Sequence, residues 1–184
     1  MDEIYRNSLA IVKYNPDFRD ENGYYIRNEW TSVSDINKEF EDGVLTKEEY
    51  ITVEEKYIES VFILIKSLEV SEVKISGLYK SWTRKRFKNW KQLSLYKMYD
   101  FVFEGMIIKS DNMPIISKLI KLGLRELLTI DLILKDKGTI TFGYDFYMYF
   151  KTNEDEPSLE KSIDEIKKLK LYPYCNDMSD VISE

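Results

Sequence analysis

The sequence predicts an α+β fold: a mainly antiparallel sheet with a long central helix and two or more shorter helices, in a single domain spanning residues 1–184. Three observations predict it. Tyr50, Val53, Tyr57, Val61, Leu64 and Leu68 recur at three- and four-residue spacing, the period of a helix with one buried stripe. Ile140, Phe142, Tyr144, Phe146, Met148 and Phe150 alternate with Thr139, Thr141, Gly143, Asp145, Tyr147 and Tyr149, the period of a strand with one face in a core. Helix and strand patterns follow each other without a βαβα rhythm, which argues against a parallel sheet.

Each element has its own local reason. Residues 8–14, SLAIVKY, predict a strand stopped by Asn15-Pro16. Asp20 to Gly23 predicts a turn, because Asn22-Gly23 supplies left-handed backbone at little cost. Tyr24, Tyr25 and Ile26 then predict a short strand. Ser32 or Ser34 is placed to cap a short helix from Asp35 to Phe40, closed by Asp42-Gly43. Thr46-Lys47-Glu48-Glu49 matches a capping box and starts the long helix at about 46–68. Its acids crowd the first half and Lys66 lies near the end, an order that complements the helix dipole. Residues 70–79 predict a strand. Between Leu93 and Lys109 helix and strand patterns overlap; the better division is helix before Gly105 and strand after it. Asp111 or Asn112 caps a helix running to about Leu127, with Pro114 tolerated in its first turn. Leu128 to Leu134 predicts a strand and Asp136-Lys137-Gly138 a turn. The alternation that follows reads as one strand, with Gly143 marking a bulge. Leu159, Ile163, Ile166 and Leu169 predict a last helix, ended by Pro173, with a loose tail from about residue 174.

Composition narrows the function class. The chain has no histidine, which removes the commonest general base, metal ligand and triad member. Its one cysteine, Cys175, forms neither an intrachain disulfide nor a zinc site alone. No glycine-rich phosphate loop occurs, and the Asp17–Asn22 turn lacks the alternating ligands and terminal glutamate of a calcium loop. The expectation is a protein that is not an enzyme, with no catalytic residues, no metal and no cofactor. A small carboxylate-dependent enzyme is the weaker alternative. The N-terminus shows no leader pattern and no apolar run approaches membrane length, so a cytoplasmic protein without a membrane partner is expected.

Charge and aromatics point to a macromolecular partner. Residues 1–69 carry a net −8, residues 70–152 a net +7 and residues 153–184 a net −5. With 14 Tyr, 9 Phe and 3 Trp the chain is rich in side chains that pair a large apolar body with a polar tip. The basic stretch Arg84, Lys85, Arg86, Lys88 and Lys91, interleaved with Trp82, Phe87 and Trp90, supplies an alternative patch over 80–91 for nucleic acid. A pI of about 5.0 weighs against nucleic acid as the main partner.

Residues 13–58 carry Arg19-Asp20, Gly23, Tyr25, Glu29-Trp30-Thr31-Ser32, Ser34-Asp35-Ile36, Leu45-Thr46, Glu49-Tyr50 and Glu54 ahead of the long helix. In this pattern the chain resembles immunity proteins of bacterial contact-dependent growth inhibition and related polymorphic toxin systems. It departs from the pattern at Asn37, where a glycine is expected. The resemblance implies a cytoplasmic antidote that binds the C-terminal domain of one cognate toxin, often a nuclease, and blocks its active site or substrate surface. The expected contact residues come from the acidic N-terminal third: Tyr24, Tyr25, Glu29, Trp30, Asp35, Glu39, Glu41 and Asp42. For Trp30 and Tyr25, ordinary core packing is an equal alternative.

Overall fold

The computed structural model describes residues 7–80 and 93–177. In chain order they form β1 (Asn7–Val12), two 3-10 turns (Pro16–Phe18 and Val33–Asp35), β2 (Glu39–Phe40), β3 (Gly43–Val44), α1 (Lys47–Ser67) and β4 (Glu72–Tyr79). Then come α2 (Leu93–Phe101), β5 (Ile107–Lys109), α3 (Met113–Leu124), β6 (Thr129–Leu134), β7 (Gly138–Phe142), β8 (Met148–Thr152), α4 (Glu156–Lys168) and β9 (Tyr172–Asp177). Among the described residues no helix is long and apolar enough to cross a membrane.

Seven strands make one sheet in the order β5-β4-β6-β7-β8-β1-β9, every neighbouring pair antiparallel. The fold is α+β, as the patterning predicts. Register aligns the alternating apolar residues into a continuous row: Cys175 opposite Leu9, Leu9 opposite Phe150, then Ile140, Leu132 and Ile75. Leu9, Phe150, Ile140, Leu132 and Ile75 are fully buried and share one core with the apolar stripes of α1 and α3. Truncating any of them to alanine is expected to cost about 2–5 kcal/mol. Thr46 caps α1 by accepting from the Glu49 amide at 3.1 Å. From α1, Glu54 is wholly buried and takes two hydrogen bonds from Arg125, at 2.5 and 2.6 Å, which ties α1 to the end of α3. Gly138 sits where a Cβ would lie 2.2 Å from the Lys151 carbonyl oxygen, so the β6–β7 turn admits glycine alone.

Four expectations are corrected. The alternation over 139–150 is not one strand but a hairpin, β7 and β8, turning at residues 143–147. Phe142 pairs with Met148 across an even separation, so both arms send the same parity of residue to the core and mimic a continuous strand. The C-terminal segment from 174 is not loose up to Asp177: it forms edge strand β9 on β1. Pro173 is tolerated there because an edge strand leaves one side of its backbone unpaired. Tyr24–Ile26 forms no strand, only an isolated bridge between Arg19 and Tyr25. Asp35–Phe40 is not a helix, because Asn37 at φ 73° turns the chain out of the 3-10 turn and into the β2–β3 hairpin.

The β7–β8 turn is unusual. Tyr147 donates its amide to the Tyr144 carbonyl at 3.0 Å, and the central residues Asp145 and Phe146 have φ of 57° and 59°. Positive φ at both centres is the pattern of a type I′ turn, which normally uses Asn-Gly. Each non-glycine residue held there costs about 1–3 kcal/mol unless its surroundings compensate. They do: Phe146 is buried against Trp30, Tyr50 and Tyr57, with ring centroids 5.1, 5.5 and 5.4 Å away. The Tyr14 hydroxyl donates to the Asp145 carbonyl at 2.7 Å and the Tyr57 hydroxyl to the Phe146 carbonyl at 2.5 Å.

Candidate interaction surface

Residues 13–45 form a lobe with little regular structure but dense internal bonding. Asp20 Oδ1 accepts from the amides of Asn22 at 2.9 Å and Tyr24 at 2.8 Å, closing a turn in which Gly23 has φ 82°. Arg19 holds the same turn through the Gly23 carbonyl at 2.7 Å and reaches the Tyr147 hydroxyl at 3.2 Å. Arg27 clasps the β2–β3 hairpin, bonding Glu41 at 3.1 Å and Asp42 at 2.5 Å, while Glu41 also accepts from the Asn28 amide at 2.7 Å. Asp35 Oδ2 accepts from the amides of Thr31 at 2.9 Å and Ser32 at 3.0 Å. Burial alone would push the Asp35 carboxyl up, but the Lys38 ammonium and these two amides outweigh it and hold it below the ordinary carboxylate range.

Under the lobe lies an aromatic floor. The Lys13 ammonium bonds Glu29 at 3.1 Å and rests over the rings of Tyr14 at 4.2 Å and Trp30 at 4.3 Å. Burial lowers its pKa despite the Glu29 carboxylate beside it. The Tyr25 hydroxyl donates to the other Glu29 oxygen, and the Tyr25 ring meets Tyr14 edge-on at 5.1 Å. Burial, with Glu29 beside it, pushes the Tyr25 phenol up, so it stays a donor at neutral pH.

This geometry divides the eight expected contact residues. Tyr24, Glu39, Glu41 and Asp42 are exposed on the lobe, and Glu41 and Asp42 are also spoken for by Arg27. Trp30, only 6% exposed, belongs to the core with Tyr50 and Phe146. Tyr25, Glu29 and Asp35 are half-buried and direct their polar atoms into the lobe itself. Ile26 at 64% and Val44 at 54% are exposed apolar residues that join Tyr24, 72% exposed, on the same lobe. Ile26 was hidden by the reading of Tyr24–Ile26 as a short strand, and Val44, just past Asp42-Gly43, carries no local signal of exposure. The alternative patch at Arg84, Lys85, Arg86, Lys88 and Lys91 lies outside the described residues.

Cavities open among the described residues. One of about 150 Å³ opens between the β2–β3 hairpin and the start of α1, against Lys13, Trp30, Phe40 and Glu49. A larger groove of about 570 Å³ lies by the β6–β7 turn, away from the lobe. Two of the lysines lining it pair with its own acids, Lys135 with Glu72 at 3.1 Å and Lys137 with Glu154 at 3.0 Å. Among the described residues no group of three or more Cys, Asp or Glu is placed to hold a metal ion. No protein-family model, curated protein or solved structure matches the chain.

Proposed function

We propose that the chain is an immunity-type inhibitor, a non-enzymatic protein that binds one cognate toxin domain of the nuclease class and covers its active site or substrate surface. The observation that carries this reading is the lobe: an internally braced acidic surface that presents Tyr24, Ile26 and Val44 among Glu21, Glu39, Glu41 and Asp42. Surfaces that bind nucleic acid are basic because they meet phosphates. Complementary acids steer such a surface into contact, and desolvated aromatic and aliphatic anchors then hold it. A lobe already fixed by Arg19, Asp20, Arg27 and Asp35 loses little conformational entropy on binding.

The resemblance over residues 13–58 supports the same reading in a physical way. Its residues build and fasten the lobe: Arg19 and Asp20 close the turn, Asp35 caps the 3-10 turn, Thr46 caps α1, and Glu54 anchors the helix. At the expected glycine, Asn37 adopts φ 73°, a left-handed conformation that glycine takes freely and Asn tolerates best among the other residues.

The test is to look for a toxin-like reading frame beside the gene for this chain and, where one is found, to measure association kinetics with its C-terminal domain. Glu21→Lys with Glu39→Lys is expected to slow association strongly at low salt, with the difference shrinking as a Debye length of about 8–10 Å screens the charges. Asp42 is left intact because its removal would also release Arg27. If only Arg84→Glu with Lys88→Glu slows binding, contact is made through the basic segment instead. If no toxin domain encoded next to the chain is bound or neutralised in cells expressing both, the immunity reading fails.

A further inference from the structure

We infer that the β7–β8 turn is the second half of this contact surface, with Tyr144 as the anchor that enters a basic protein partner. The inference rests on the inhibitor reading above and extends it to residues outside the acidic third of the sequence.

Four observations converge on the turn. Tyr144 is 79% exposed, more than Tyr24 or any other exposed large apolar side chain among the described residues. A tyrosine has few side-chain torsions to freeze and a large ring to bury, which makes it an effective anchor. Its backbone is locked by the left-handed pair Asp145 and Phe146, by two tyrosine hydroxyls on their carbonyls, and by the burial of Phe146. Strain maintained by so many compensating contacts is a common feature of functional surfaces.

The turn is also coupled to the lobe. Tyr14 packs edge-to-face with the Tyr25 ring and donates to the Asp145 carbonyl of the turn. Arg19 joins the Gly23 carbonyl to the Tyr147 hydroxyl, so the two turns are held by one guanidinium. Tyr14 and Tyr147 lie 5.6 Å apart between them, and Tyr147 stacks on Tyr149 at 6.1 Å. Tyr24 and Tyr144 are therefore the exposed tips of two adjoining turns with a tyrosine floor between. Asp17, Asp20, Glu21 and Asp145 lie on those turns and in the 3-10 turn leading to them, against the single cation Arg19, which is already engaged. The charge complement of such a surface is a basic protein face with an apolar recess.

The experiment measures binding of the full chain to the C-terminal domain, carrying an inactivating substitution, of any toxin-like polypeptide that a neighbouring gene encodes. Tyr144→Ala and Tyr144→Lys are compared with Tyr79→Ala, a 66% exposed tyrosine on β4, three strands from β8. Thermal unfolding is recorded for every variant and is expected to match the parent, since both side chains are exposed. Both Tyr144 variants should weaken binding at least about tenfold while Tyr79→Ala stays within about twofold. Should either folded Tyr144 variant bind like the parent, the inference is overturned while the inhibitor reading stands. Should the parent itself bind no such domain, the inhibitor reading fails and the anchor assignment falls with it.

Discussion

Asp145 shows how much one residue's backbone is asked to carry. At φ 57° it occupies a region that asparagine tolerates better than aspartate, and its carboxylate adds to the forces on Glu126. Burial first, then the Asp145 charge, raises the Glu126 carboxyl above its ordinary value. Asp145→Asn removes that repulsion and keeps the left-handed turn. It is expected to stabilise the fold only slightly, because both side chains are exposed and solvent screens the repulsion between them. A lower unfolding midpoint in denaturant for Asp145→Asn would show that the carboxylate has a favourable role there, for example toward Lys13. None of this strain was visible in the sequence. Asp-Phe is not a turn dipeptide, and only tertiary packing of Phe146 among three aromatic rings makes it one.

At the scale of elements, the lobe separates what sequence patterns report from what they hide. α1 was legible from Thr46 to Ser67 because a cap and a repeating stripe are local signals. The 3-10 turn at Val33–Asp35 was legible only as a capping serine; its abrupt end depends on Asn37 and on the backbone bonds Asn37 to Leu45 and Leu45 to Lys38, each 2.9 Å. Tyr25, Glu29 and Asp35 looked like contact residues because polar and aromatic side chains outside regular structure resemble a surface. In the fold their polar atoms brace the lobe from within. Asp35 makes this testable by pH. Its folded pKa lies below the unfolded value of about 3.9, so its contribution is fully present above that value and lost as pH falls through the lowered folded one. The protection factors of the Thr31 and Ser32 amides should therefore fall as pH drops from about 5 to about 2.5, exchange moving toward the intrinsic rate. Asp35→Ala should lift that protection even at neutral pH and cost about 0.5–2 kcal/mol, the value of a lost cap. Unchanged protection of those two amides in the variant would mean the 3-10 turn is held by other means.

For the whole molecule, the joint between α1 and α3 decides whether the sheet and its helices behave as one unit. Glu54 stands among the acids of the first half of α1, yet it falls between Tyr50 and Tyr57 on the buried stripe. That position was the signal that it points inward; its partner Arg125, 71 residues later, carried none. The two bonds between them compete with the cost of removing both charges from water, so the pair is weak evidence for stability as such. Breaking it is another matter. Glu54→Leu leaves the buried Arg125 guanidinium without its carboxylate and should cost about 3–5 kcal/mol. Arg125→Met should cost less, because Lys121, 3.8 Å from Glu54 and 2.6 Å from Glu55, remains to face the stranded carboxylate. The double variant Glu54→Leu with Arg125→Met replaces both charges by apolar groups of similar size. It should fold with a stability near the parent's, giving a large coupling in a double-mutant cycle followed by denaturant unfolding. Additive losses would mean that the pair contributes through the shape of its packing rather than through charge.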